Sequence, residues 1–114
     1  MDNGNEEKIE LGQSGISISP IGTGTWSWGD WLVWGFGRGY QSEDVSEAYQ
    51  TSVSMGINFF DTAESYGRGR SETFLGHFVS ESPQTMVVAT KFMPYPWRLW
   101  KGQLIRALKA SLKR

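Results

Sequence analysis

The 114-residue chain is long enough for one ordinary domain. Hydrophobic residues at 39% and aromatics at 14% describe a globular protein, and a formal net charge of −1 leaves no electrostatic footprint for nucleic acid or an anionic membrane. With no Cys, disulfides, thiolate chemistry and Cys-based metal sites are excluded, and no metal site is expected.

No apolar run approaches the ~20 residues needed to span a bilayer. Met1 to Lys8 is polar and lacks the apolar core of a signal peptide. The expectation is a soluble cytoplasmic protein with residues 1–8 as a disordered tail and 9–114 as one folded unit. Ile9, Leu11, Ile16 and Ile18 alternate with polar residues around Gly12-Gln-Ser-Gly15, which predicts a small β-hairpin. Pro20 to Thr25 reads as a short strand entering a Gly-rich loop. Trp26 to Tyr40 has no period, yet holds Trp26, Trp28, Trp31 and Trp34. Loops longer than ~12 residues in compact domains are usually functional or disordered, and this one is too aromatic for ordinary disorder. Neither Gly22-x-Gly24 nor Gly35-x-Gly37-x-Gly39 has the G-x-G-x-x-G dinucleotide spacing, and the second reads as plain flexible loop.

Ser42 suits a helix N-cap, with Glu43 and Asp44 in the first turn. Val45, Ala48, Tyr49, Val53 and Met55 mark the apolar face, and Gly56 is the stop. Ile57 to Phe60 is a buried strand that ends in Asp61, with Tyr66 in the loop beyond. A second helix begins near Ser71, carries Phe74, Leu75, Phe78 and Val79, and ends before Pro83. Met86 to Lys91 is a continuous buried strand, as expected where both faces are covered. Pro94, Pro96 and Trp97 form its loop. A third helix, from about Trp100 to Arg114, carries Leu104, Ile105, Leu108 and Leu112 on one face. A hairpin followed by strands alternating with helices predicts an α/β fold with a parallel sheet and crossover helices.

Asp61 and Lys91 each end a buried strand. If those strands are parallel neighbours, the two charges meet at one face of the sheet, ~5 Å apart strand to strand. A buried ion pair that merely closes the sheet end fits the spacing equally well. Tyr66 adds chemistry. A phenol near its reference pKa of about 10 is a poor acid at neutrality, and an adjacent ammonium lowers that value. Phenol, ammonium and carboxylate together make a proton donor for a carbonyl becoming an alkoxide, although a loop Tyr also serves as simple packing. Asp61 with Glu64 suggests instead the carboxylate pair of a glycosidase, but that reading leaves Tyr66 and Lys91 unused.

Gly22-Thr-Gly-Thr-Trp26, Gly56-Ile-Asn-Phe-Phe-Asp-Thr-Ala-Glu-Ser-Tyr-Gly67, Ser71-Glu72 with Leu75-Gly76, and Ala89-Thr-Lys-Phe92 resemble the aldo-keto reductases. The Trp-rich first loop and Pro94-Tyr-Pro-Trp-Arg98 look most like cyanobacterial and plant members. The resemblance runs from about Ile9 to Arg114. It implies the N-terminal part of a (β/α)8 TIM barrel: the hairpin that plugs its bottom and about three βα units. It also implies reduction of a small-molecule aldehyde or ketone with a nicotinamide cofactor, usually NADPH. By resemblance Tyr66 is the general acid, Lys91 lowers its pKa and Asp61 anchors Lys91. Thr23, Gly24, Thr25 and Trp26 match the first-loop residues near the nicotinamide ribose, as does Asp61. Trp26, Trp28, Tyr95 and Trp97 are candidates to line the substrate pocket, which in general is mostly aromatic with few polar groups.

The family's fourth catalytic residue is a His at the end of the fourth strand, in a segment resembling Leu-Gly-x-Asp-x-Ile-Asp-Leu-Tyr-x-x-His. The sequence reaches Arg114 just before that segment would begin. His77 follows no strand and reads as a helix-surface residue. A full barrel typically needs ~250 residues. The expectation is therefore a truncated gene or fragment, with little or no reductase activity alone. The alternatives are a short protein completed by self-association or by a separately encoded C-terminal part, and a non-catalytic reductase-like binding module. The potassium-channel β-subunits are relatives of that last kind.

Overall fold

The computed structural model describes residues 7–114, so most of the expected 1–8 tail lies outside the described residues. The predicted hairpin forms. β1 (Ile9–Glu10) pairs antiparallel with β2 (Ser17–Ile18), in the register Ile9 to Ile18. Gly12 and Gly15 take φ values of 60° and 74° in its turn, a region only glycine enters freely. Asn58 then ties hairpin to sheet. Its buried side-chain oxygen accepts from the Ser19 N–H at 2.7 Å, and its amide donates to the Ser17 carbonyl at 3.1 Å.

The sheet that follows contains β3 (Thr23–Gly24), β4 (Phe59–Asp61) and β5 (Val87–Ala89), in that spatial order and with both pairs parallel. The regular strands are shorter than the apolar runs predict. α1 (Ser42–Ser54) connects β3 to β4, α2 (Arg70–Glu81) connects β4 to β5, and α3 (Gln103–Lys113) follows β5. Parallel neighbours require crossovers of this kind. The cap of α1 lies one residue earlier than expected. Gln41 is the N-cap, and its N–H donates to the Asp44 carboxylate at 2.7 Å. Asp44 supplies the acceptor three residues into the helix, so Ser42 is released from capping. Gly56, with φ of 82°, stops α1 as predicted.

The core lies between β4 and the helices α1 and α2. Trp28, Val45, Tyr49, Phe60, Leu75 and Phe78 form it, with Phe60 wholly enclosed. Tyr49 stacks on both Phe60 and Phe78, at centroid distances of 5.2 and 5.0 Å. Trp28 was expected to line a pocket. It instead packs against Tyr49, Phe60 and Phe78, which corrects that assignment. The reason is the large apolar area an indole removes from water, which outweighs any role at the surface. α3 has no comparable cover. Ala107 alone among its residues is buried, and Leu104, Ile105, Leu108 and Leu112 are exposed. Arg114 pins its end to α2 through an ion pair with Glu72 at 2.7 Å. Among the described residues no helix is long and apolar enough to cross a membrane.

Candidate active site

β4 is the central strand, so Asp61 at its carboxyl end is flanked by Gly24 of β3 and Ala89 of β5. The chain leaves β5 at Ala89, and two residues later Lys91 turns back across the sheet end. Its ammonium donates to Asp61 Oδ1 at 2.8 Å and to the Thr62 carbonyl at 2.9 Å. The predicted pairing of strand ends is therefore present. It differs from a buried ion pair, because the Lys91 and Asp61 side chains are 51% and 48% exposed. Partial burial works to lower the Lys91 pKa. The hydrogen bond and charge of Asp61, with a smaller contribution from Tyr66, outweigh it, and the pKa is raised. Lys91 is thus held as a cation through neutral pH.

Tyr66 opens a tight turn, Tyr66–Gly69, between β4 and α2, in which Gly67 and Arg68 both take left-handed backbone angles. The Lys91 Nζ lies 5.3 Å from the centre of its ring. The turn is fixed by close backbone packing. Gly67 has φ of 57°, and a Cβ there would sit 2.8 Å from the Gly29 carbonyl oxygen. No other residue fits without moving the first loop.

The back of the site is a cluster of buried hydroxyls. Thr25 donates to the Asp61 carbonyl through its N–H at 3.0 Å, and its hydroxyl meets that of Ser71 at 2.6 Å. Ser71 also donates to the Thr25 carbonyl at 2.8 Å and meets the Thr62 hydroxyl at 3.0 Å. These bonds hold the backbone at and just after Asp61. The sequence reading places Ser71 at the helix start and Ser71 and Thr62 within the family motifs, and gives neither a role in the site. The available signal was small hydroxyl residues directly after the acid and at the head of the next helix.

The residues expected to approach a cofactor separate by direction. Thr23 turns to α1, where its hydroxyl meets that of Ser52 at 3.0 Å. The Thr25 side chain is enclosed in the hydroxyl cluster. Gly24 and Trp26 are exposed at the strand end. The Trp26 indole stacks on the Tyr66 ring, with centroids 6.0 Å apart and planes at 22°. Tyr95 and Trp97 stack on each other at 4.8 Å, both exposed. Their loop is anchored by Glu64, which accepts from the Met93 N–H at 2.8 Å and from the Arg98 guanidinium at 2.5 and 3.2 Å. The Arg98 hydrogen bond holds the Glu64 carboxyl below the usual carboxylate range, against an opposing push from burial. Asp61 and Glu64 thus serve different cations, Lys91 and Arg98, which leaves no glycosidase-like pair. His77 sits exposed on α2, 3.7 Å from Glu81, in keeping with its reading as a surface residue.

A sequence model of the Aldo/keto reductase family matches residues 20–114. The chain is 44% identical to the chloroplastic pyridoxal reductase of Arabidopsis thaliana over 118 aligned residues, covering 95% of this chain and 32% of that protein. It superimposes on a thermostable aldo-keto reductase bound to the inhibitor epalrestat with a TM-score of 0.71 and 29% identity, covering 93% of this chain and 37% of that one. It also superimposes on an aldo-keto reductase of Klebsiella pneumoniae in complex with NADPH, with a TM-score of 0.67 and 28% identity, covering 85% and 31%. The chain spans about a third of the length of the pyridoxal reductase it matches. Its hairpin and three βα units match part of the TIM barrel of these structures, and the chain belongs to the Aldo/keto reductase family.

Proposed function

We propose that the chain carries the proton-donating part of an NADPH-dependent carbonyl reductase site, with Tyr66 as general acid. The observation that carries this reading is the Lys91 ammonium, bonded to Asp61 at 2.8 Å and lying 5.3 Å from the Tyr66 ring. As a carbonyl carbon gains hydride, its oxygen becomes an alkoxide. Tyr66 gives that oxygen its phenolic proton, and the phenolate left behind is stabilised by Lys91. Asp61 positions Lys91, and the Thr25, Ser71 and Thr62 hydroxyls position Asp61.

The residues fit a nicotinamide cofactor. Asp61 Oδ1 is taken by Lys91, and among the described residues Oδ2 accepts no hydrogen bond. That leaves a half-exposed carboxylate oxygen for a sugar hydroxyl, beside the open backbone of Gly24 and Trp26. The chemistry drawn from a bound cofactor is hydride donation to the carbonyl carbon. NADPH is chosen by analogy with the Klebsiella pneumoniae complex. An aldehyde borne on a ring is the proposed substrate, by analogy with the Arabidopsis thaliana pyridoxal reductase.

The other wall of the site would come from further βα units, in the same polypeptide or a separate one. Among the described residues the outer edge of β5 is unpaired and the apolar face of α3 is exposed, which supports this. The 114-residue chain alone is then expected to show little or no turnover. The test joins residues 9–114 to the remainder of the Arabidopsis thaliana pyridoxal reductase and follows NADPH-dependent reduction of pyridoxal. Tyr66→Phe should lower kcat by about 10²–10⁴-fold. An unchanged kcat would remove Tyr66 from the chemistry.

A further inference from the structure

The loop between β3 and α1 is a built structure with exposed rings. Asp30 is buried, and its carboxylate accepts from the Val33 N–H at 2.8 Å and the Trp34 N–H at 3.4 Å. Its carbonyl accepts from the Phe36 N–H at 3.0 Å. The Tyr40 hydroxyl donates back to the Ser27 carbonyl. Gly29 lies against both Gly67 and Arg70, and the Arg68 guanidinium sits 5.8 Å over the Trp31 ring. The loop is therefore locked to the turn that carries Tyr66. Gly35 to Gly39, which reads from sequence as plain flexible loop, is part of this fold, with Phe36 packed on Tyr40 and Phe74.

From this rigid base Trp34 reaches Trp26. Their ring centres are 5.8 Å apart and their planes meet at 79°. Both rings are about half exposed, at 50% and 47%. Trp26 in turn lies nearly parallel to Tyr66. The surface beside the phenol thus carries a corner made by two indoles, Trp26 stacked on the Tyr66 ring and Trp34 set almost perpendicular to Trp26. Contiguous exposed apolar surface, unlike apolar residues scattered singly, marks an interaction or ligand-binding surface. Aromatic groups favour offset-stacked and edge-to-face contacts, and a corner offers a flat ring both at once.

We propose that Trp34 is a specificity-determining residue: with Trp26 it forms an aromatic corner beside Tyr66 that selects a planar ring-bearing carbonyl substrate over a saturated one of the same size. This rests on the reading of Tyr66 as proton donor, which places the reacting carbonyl beside the corner. It adds to that reading a residue and a shape rule.

The experiment uses the full chain and two unreactive alcohols that stand in for reduced products, benzyl alcohol and cyclohexylmethanol. Binding is read from the indole N–H resonances of Trp26 and Trp34. Benzyl alcohol should bind about 2- to 10-fold more tightly and shift both resonances. Trp34→Ala should remove the preference, and Trp34→Phe should retain much of it. Equal affinity for the two alcohols overturns the proposal, as does binding that leaves the two indoles unshifted, or no binding at all. Ring preference in a chain whose pyridoxal reductase fusion shows no turnover would support the corner while failing the reductase reading. Turnover by that fusion without ring preference would do the reverse.

Discussion

The first two βα units and the third are built from similar sequence patterns but end in different states. Around β4, the rings of Trp28, Tyr49, Phe60 and Phe78 close on one another and leave Phe60 with no exposed surface. Around β5, a groove of about 310 Å³ stays open between α2 and α3, lined in part by Leu75, Val88, Leu108 and Leu112. The difference is a matter of neighbours. β4 has a strand on each side and a helix before and after it. Among the described residues β5, like β3, has a strand on one side only, and the apolar face of α3, which follows β5, is left exposed. Amphipathic pattern creates the need for burial, and topology decides whether the need is met. The candidate site straddles this divide. Asp61 and Tyr66 stand on the closed side, and Lys91 comes from the open one.

Substitutions should expose that asymmetry, from the largest effect to the smallest. Phe60→Ala removes the centre of the closed core and should cost about 3–5 kcal/mol, enough to unfold a marginal domain, as read from urea denaturation. Retained stability would mean that the ring cluster is not what holds the chain together. Next is the Glu64–Arg98 anchor, which joins the loop after β4 to the loop after β5. The Glu64 pKa is depressed in the fold. Its contribution is therefore present above the ordinary value of 4.5 and is lost as pH falls through the lower folded value. The Trp97 indole resonance should move in that acid window, and Glu64→Gln should abolish the step. A Trp97 signal that ignores pH in that range would show that the anchor does not order the loop. The smallest effect is expected from Leu112→Ser on α3. Leu112 is 78% exposed, so stability should change by no more than about 0.5 kcal/mol. A cost of 2 kcal/mol or more, on the order of a core substitution, would mean that something covers this face in solution.

Much of the fold was legible because its signals are local. The stop at Gly56 and the acid at the end of 57–61 each follow from short-range chemistry, and each is found. The run 86–91 forms a strand only over Val87–Ala89, and Val88 is exposed rather than buried, because cover on both faces depends on neighbours and not on the run itself. Two errors share a cause. Ser42 looked like the cap because it is a good capping residue, but Asp44 reached back to Gln41 instead. Trp28 looked like its neighbour Trp26, two residues away in the same loop. One indole fills the core and the other stands beside Tyr66, and only the position of β4 and α2 distinguishes them. The partner of Glu64 was hidden for the same reason, since Arg98 lies 34 residues further along.

The sequence by itself determined the alternation of strands and helices, the hairpin ahead of them, and the types of group at the strand ends: a carboxylate, a phenol and an ammonium. Those follow from side-chain period and from turn chemistry, which act over a few residues. Only the tertiary structure decided which groups meet. Parallel pairing put Lys91 over Asp61. The packing of Gly29 against Gly67 locked the Trp-rich loop to the Tyr66 turn, and the core took Trp28 while leaving Trp26 and Trp34 at the surface. Such choices depend on which loops the sheet brings together, and residues far apart in the chain carry no local mark of their partners.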